Sequence, residues 1–303
     1  MLSPQQINSI CEGLLFAKNA EITLEINPLQ ISESYLEGLK TTKVNRLSLG
    51  LQSMDDTELK WLERRHQARE IKSKIKLLQE FGYSNFSLDL MYGLPGSTIA
   101  SVKANLLAYL ELAPSHVSSY LLTLEEDCSY RAKLPTLPDD DHAADQYEMI
   151  VNTLCSNGYH HYEISNFALP GYEAAHNLAY WQSHDYLALG ASASGFLDKI
   201  RYTNPPNLTE YYDYVTSGKC FPNGMDCDAK RLREDYLMMG LRLTEGIDEE
   251  DFYNRFGLRI ESLYADKLER LLKQGLLKRS RGKLAISETA LFISSGVIGE
   301  LIL

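Results

Sequence analysis

The 303-residue chain is 44% hydrophobic and carries a formal net charge of −11 at pH 7. It has enough apolar content for a large core, a length suited to one large domain plus a smaller one, and a surface too acidic for general attraction to nucleic acid or anionic membranes. No stretch approaches the roughly 20 apolar residues of a membrane span, and no basic segment followed by a long apolar one opens the chain, so a cytoplasmic location is the expectation. The charge is uneven, because residues 231–303 hold twelve basic and twelve acidic side chains and the whole excess lies before them. Cys11, Cys128, Cys155, Cys220 and Cys227 are scattered and form no CxxC pair, which reads as reduced thiols and not as a disulfide framework.

In "AEITLEINP", residues 20–28, Ile22, Leu24 and Ile26 alternate with Thr23 and Glu25 before an Asn-Pro pair, the pattern of a short strand. A helix is expected in "ISESYLEGLK", a strand in "VNRLSLGLQS", and helices in "DDTELKWLERR" and "AREIKSKIKLLQEFG", the last stopping at Gly82. "NFSLDLMY" is a third strand running into a Gly-Leu-Pro-Gly turn, "ASVKANLLAYLEL" a helix, and "HVSSYLLTLE" a fourth strand. This rhythm predicts right-handed βαβ units on a parallel sheet. Glu25, Gln52, Asp89 and Glu125 fall at or near the C-terminal ends of these strands, the edge where βα folds bind ligands. A lone carboxylate there reads as structural; four polar residues on one rim read as a binding site.

Beyond residue 126, turn-rich "LPTLPDDD" leads into a helix with an Asp N-cap and a stop at Gly158. "YHHYEISNFALPGYEAAHNLAYW" and "DYLALGASASGF" are dense in aromatic, His and Gly residues. From about Asp228, amphipathic helices precede "GLLKRSRGKLAIS", a helix, basic turn and strand in the manner of a winged-helix module. Winged helices often bind DNA, but this module balances to zero charge and lacks a positive stripe, so no nucleic-acid partner is expected.

"EINP", "VNRLSLGLQS", "RRH", "DLMYGLPGST", "LPDDD", "YEISNFALPGYEAAHNLAYW" and the C-terminal module together resemble the HemN/HemW family of radical S-adenosylmethionine (SAM) proteins, in order and over nearly the whole chain. The resemblance implies an α/β fold: a partial (β/α)6 radical-SAM-type barrel lacking its first strands, plus a C-terminal α-rich winged-helix-like domain. The divisions it suggests are a barrel over residues 1–125, a family-specific extension over 126–228 and the C-terminal domain over 229–303. The positions matching the family's SAM contacts are Glu25, Gln52, Arg64 and Asp89. Carboxylates and an amide can orient the hydroxyls and amino group of such a ligand, and a guanidinium can pair with its carboxylate. From the residues alone, Arg64 in "ERRHQARE" reads first as one charge on a solvated helix face.

Family members hold a [4Fe–4S] cluster with the three thiolates of a CxxxCxxC loop after the first barrel strand, and no such motif occurs here. "MLSPQQINSICEGLL" resembles the helix after that region, so the expectation is an N-terminally shortened member without cluster ligands and without catalysis as given. Its opening strand would then be a sheet edge open to self-association. "HNLAYW" resembles the family's HNxxYW heme-binding motif, which favours the heme-chaperone branch, with heme as ligand and heme-accepting proteins as partners. The alternative is oxygen-independent coproporphyrinogen III oxidase chemistry in a longer form. On this reading His176 is the iron ligand and Tyr180 and Trp181 pack on the macrocycle; spacing alone leaves open a hydrogen-bonded loop histidine and a core tryptophan. Where the family reads GxGxGAHG this chain has "ALGASASG", with Ser194 in place of the histidine and Ala191 in place of a small sulfur residue.

Overall fold

Period-two alternation of apolar and polar residues builds the main sheet, and parallel pairing lines those residues up across it. The computed structural model describes residues 2–125, 130 and 135–303, so Cys128 and the expected boundary at 125/126 adjoin or fall in segments outside the described residues. The described chain forms two units, Met1–Ala174 and Ala175–Leu303; the expected middle segment spans that division.

The first unit begins with α1 (Pro4–Glu12), which holds the buried Cys11 and is capped by Ser3 and Gln6 acting reciprocally. Then follow β1 (Thr23–Ile26), α2 (Glu33–Leu39), β2 (Arg46–Gln52), α3 (Asp56–Trp61), α4 (Ala68–Glu80), β3 (Phe86–Tyr92), α5 (Ile99–Leu110) and β4 (His116–Leu121). After α6 (Asp140–Ser156), β5 (His160–Glu163) and β6 (Asn166–Ala168) complete a six-stranded sheet of order β1-β2-β3-β4-β6-β5. The four leading strands are parallel, as the βαβ rhythm predicts, while β6 runs antiparallel to both β4 and β5.

One face of this sheet is apolar. Leu47, Leu49 and Leu51 of β2, Phe86, Leu88 and Leu90 of β3, and Val117 of β4 are all fully buried. At about 25 cal/mol per Å² of apolar surface removed from water, such a face is the main source of the unit's stability. Polar links add direction: Asn105 of α5 accepts from Met54 N at 2.9 Å and donates to Glu58 at 2.8 Å, and Tyr109 donates to the Asp89 carbonyl at 2.8 Å.

The second unit opens with α7 (Ala175–Trp181), which contains the "HNLAYW" segment. The hairpin β7 (Ser194–Leu197) and β8 (Ile200–Thr203) turns through Asp198 and Lys199, both with positive φ. Tyr202 lies across Gly195, where a Cβ would come within 2.3 Å of the ring, so this glycine is required by close packing. Next come α8 (Leu208–Thr216), β9 (Met225–Asp226), α9 (Ala229–Gly240), β10 (Ile247–Asp248), α10 (Glu249–Phe256) and α11 (Ile260–Lys273). The hairpin β11 (Leu277–Ser280) and β12 (Lys283–Ile286), then α12 (Ser294–Ile302), end the chain. β10, β12 and β11 form an antiparallel sheet. Three basic residues of its turn region are met by acids: Arg279 by Glu249 and Glu261 at 2.6 Å each, Lys283 by Glu245, and Lys278 by Glu288. Among the described residues no helix is long and apolar enough to cross a membrane.

Candidate functional site

The other face of the first unit's sheet is polar. It presents Glu25 from β1, Arg46, Ser48 and Gly50 from β2, Ser87 and Asp89 from β3, and His116 and Ser118 from β4; Glu25 pairs with Ser48, Ser48 with Ser87, Ser87 with His116, and Asp89 with Ser118. Residues paired in register point to the same side, so strand periodicity alone gathers these groups.

Three of the four residues expected to contact SAM meet around Gly50. A Cβ there would lie 3.3 Å from Gln52 Nε2, 3.9 Å from Asp89 Oδ2 and 4.0 Å from Arg64 Nη1. Gln52 reaches this position through a bulge: the register slips between Leu49 and Gln52, and Gln52 takes a left-handed backbone with φ of 74°. A bulge re-aims a side chain, and a left-handed non-glycine residue is strained by about 1–3 kcal/mol. Gln52 is 9% exposed, and its Oε1 is buried with no hydrogen-bond partner among the described residues. An acceptor in that state awaits a donor.

Arg64 enters from the turn between α3 and α4, where its N–H donates to the Leu59 carbonyl at 2.9 Å. It is half-buried beside the Gly50 backbone, which excludes the fully solvated helix face for this side chain. Asp89 sits in the middle of β3 instead of at its end, and burial pushes its carboxyl up to about 6, with Glu25 adding to the rise and Ser118, Arg46 and Arg64 opposing it. Glu25 itself is exposed on β1. Glu125 does not belong to the rim: β4 ends at Leu121, and Glu125 lies exposed beyond it.

Sequence reasoning passed over the groups beneath this cluster. Arg46 is 5% exposed, and its Nε has no hydrogen-bond partner among the described residues. Ser87 Oγ lies 2.7 Å from His116 Nδ1, whose Nε2 lies 2.9 Å from the Tyr162 hydroxyl. Burial, with Arg46 nearby, pushes the His116 imidazole down to about 3, so it stays neutral in the folded protein. The available signal was the alternation of Arg46, Ser48 and Gly50 with three leucines, which marks a strand with one polar face.

The second unit separates the three residues expected to contact heme. His176 is exposed on α7, with its ring edge-on to Tyr180 at 4.6 Å. Tyr180 lines a cavity of about 180 Å³ together with Tyr186, Phe196, Tyr236, Phe256 and His184. Trp181 points elsewhere, under the Arg242 guanidinium at 4.6 Å. "HNLAYW" is therefore helical and not a loop, and successive residues of a helix diverge by about 100°. Ser194, standing where the family has a histidine, lies with its hydroxyl 2.9 Å from that of Thr203. His160 is exposed and His161 buried on β5, the opposite orientations expected of neighbours in a strand.

Residues 4–107 match the Radical SAM superfamily, and residues 228–293 match the HemN C-terminal domain. The chain is 35% identical to the heme chaperone HemW of Lactococcus lactis over its whole length and 82% of that protein, and 32% identical to the Escherichia coli heme chaperone HemW over 97% of its length and 79% of that protein. The chain belongs to the HemN/HemW family. Its fold is the radical-SAM-type α/β fold of E. coli HemN, a coproporphyrinogen III oxidase, with a TM-score of 0.84, 21% identity, and coverage of 99% of this chain and 75% of that one.

HemN/HemW membership implies SAM and a [4Fe–4S] cluster, and the residues present fit the two differently. The unpaired Gln52 acceptor and the open backbone at Gly50, beside Asp89 and Arg64, suit a ligand rich in hydroxyl and amino donors and bearing a carboxylate. The cluster does not fit these residues: no three Cys, His, Asp or Glu residues come together as a metal site among those described, and no cysteines are spaced as CxxxCxxC.

Proposed function

We propose that the chain is a HemW-like heme chaperone that binds heme reversibly for transfer to heme-accepting proteins. What carries this reading is the similarity, over the whole or nearly the whole of this chain, to proteins named heme chaperones. The aromatic cavity beside "HNLAYW" supports it, because flat apolar ligands are held by aromatic walls with polar groups at the rim. The test is a hemin titration followed by Soret absorbance, then addition of apomyoglobin. A saturable shift at one hemin per chain, followed by transfer, is expected; a folded chain that gives no saturable shift removes the proposal.

On the same reading, Glu25, Gln52, Arg64 and Asp89 hold SAM on the polar face. When bound, SAM would bring a ribose, an adenine, an amino group and a carboxylate to that rim. Gln52 and the two carboxylates then accept from its donors, and Arg64 pairs with its carboxylate. The four parallel strands read as part of a (β/α)6-type barrel, and the C-terminal sheet with its helices as a winged-helix-like domain. The oxidase reading is supported at the level of fold. It requires three thiolates that these residues do not supply, so the expected yield of 5′-deoxyadenosine after cluster reconstitution of this chain is none. Its formation would favour the oxidase.

A further inference from the structure

We infer that Arg46 anchors a subsite for a ligand carboxylate on the polar face of the first unit's sheet, below the rim read as holding SAM. The subsite belongs neither to that rim nor to the aromatic cavity of the second unit, and it requires neither SAM nor heme.

Arg46 opens β2 with its side chain on the polar face. Leu47 and Leu49 alternate to the apolar side, Ser48 and Gly50 to the polar one, and Arg46 pairs in register with Thr23 of β1. Two other groups on that face feel its charge, the Asp89 carboxyl and the His116 imidazole. The side chain is 5% exposed, yet it makes no ion pair and no side-chain hydrogen bond among the described residues. A guanidinium in that state is costly, because burial removes its water and no carboxylate replaces it. The second unit treats its arginines differently. Arg201 and Arg255, which line the aromatic cavity and are both more exposed than Arg46, are held by Asp235 at 2.7 Å and Asp251 at 2.8 Å.

The neighbours of Arg46 do not take that role. Glu25 is exposed on β1, and Arg64 brings a second positive charge. His116 is neutral and engaged at both ring nitrogens, by Ser87 at 2.7 Å and by Tyr162 at 2.9 Å. Asp89 interacts with Arg46 through space without an ion pair, and divides its interactions among Ser118, Arg46 and Arg64. Ser48 and Gly50 are half-buried, so the face stays open along β2 above the guanidinium. A planar carboxylate matches the parallel N–H groups of an arginine, and the Ser48 hydroxyl can donate to the same group. Glu25 and Asp89 on this face repel a phosphate dianion more than a monoanion, which selects the carboxylate.

The test is urea unfolding of the full chain carrying Trp181→Phe, followed through Trp61 of α3, in sodium acetate, sodium phosphate or sodium chloride at equal ionic strength. Acetate is the carboxylate probe and phosphate the competing oxyanion. The midpoint is expected to rise with acetate above its value in chloride, as binding to the folded state requires. The acetate affinity so obtained should fall at least tenfold in Arg46→Met, fall partially in Arg46→Lys, and stay at the parent value in Arg64→Met. Arg46→Lys keeps the charge and loses the fork, so it decides the matter if Arg46→Met does not fold. The assignment is overturned by a folded parent chain that does not respond to acetate, by unchanged affinity in either Arg46 variant, by a response lost in Arg64→Met instead, or by a phosphate response where acetate gives none. None of these outcomes alters the hemin titration, so the heme reading stands or falls separately.

Discussion

On the sheet of the first unit, the side chains with chemistry stand on parallel strands and are largely buried, whereas those around the cavity of the second unit stand on a seven-residue helix, a loop, a hairpin and two longer helices and remain partly open to water. Two strands and the turn after α3 gather Gln52, Asp89 and Arg64 around Gly50, and the fold carries an energetic penalty there: a left-handed glutamine, an unpaired acceptor and a carboxyl pushed up by burial. The cavity carries fewer such penalties. Its rings satisfy one another, and its arginines are already paired. A site that fixes a polar ligand needs preorganised groups, while one that loads and releases an apolar ligand works with shape and open edges.

Each unit holds one of the two tryptophans, Trp61 in α3 and Trp181 in α7, so single-tryptophan variants report the units separately. The largest expected effect is for Leu88→Ala, which removes a fully buried side chain from the apolar sheet face and should destabilise the first unit by about 2–5 kcal/mol. In urea unfolding the Trp61 transition should move and the Trp181 transition stay. If both shift together, the two regions unfold as one and the contrast in stability between them fails.

Asp89→Asn should act in the other direction. The folded carboxyl retains a proton that the unfolded chain releases between about pH 4 and 6, so the group's contribution to stability falls as pH rises through that window and is fully lost above it. The substitution should therefore stabilise the first unit by on the order of 2–3 kcal/mol near pH 7.5, with the gain vanishing below pH 4. Destabilisation at pH 7.5 would mean that Arg46 and Arg64 keep the carboxylate ionised and that the polar face is a satisfied network.

Gln52→Gly should relieve the left-handed backbone and raise stability by about 1 kcal/mol while weakening SAM binding in equilibrium dialysis. Unchanged SAM affinity would remove Gln52 from the rim. The smallest effect is expected for Lys283→Ala, which breaks an exposed pair with Glu245 and should change stability by no more than about 0.5–1 kcal/mol. A larger change, or a salt-dependent shift of labelled duplex by the wild-type chain, would show that the basic turn has another role.

Much of the first unit was legible because strand alternation is local. The reading of "VNRLSLGLQS" and "NFSLDLMY" placed Gln52 and Asp89 on strands, and the structure brings both, with Arg64, to Gly50. Glu125 was misplaced because an apolar run continues past Leu121 although ladder pairing stops there. The bulge at Gln52 was invisible, since a bulge is a mismatch between two strands and neither strand records it alone. "HNLAYW" was read as one contact surface, but its helical twist sends Tyr180 and Trp181 to different partners.

The sequence by itself determined the order of elements, the absence of CxxxCxxC spacing and membership of the HemN/HemW family, all of which depend on residues close together in the chain. Only the tertiary structure decided that Arg46 and the Ser87–His116–Tyr162 chain lie on the polar face, and that His184 shares a cavity with residues as distant as Phe256. Such sites are assembled by packing between remote segments, and no local period in the sequence encodes which of them will meet.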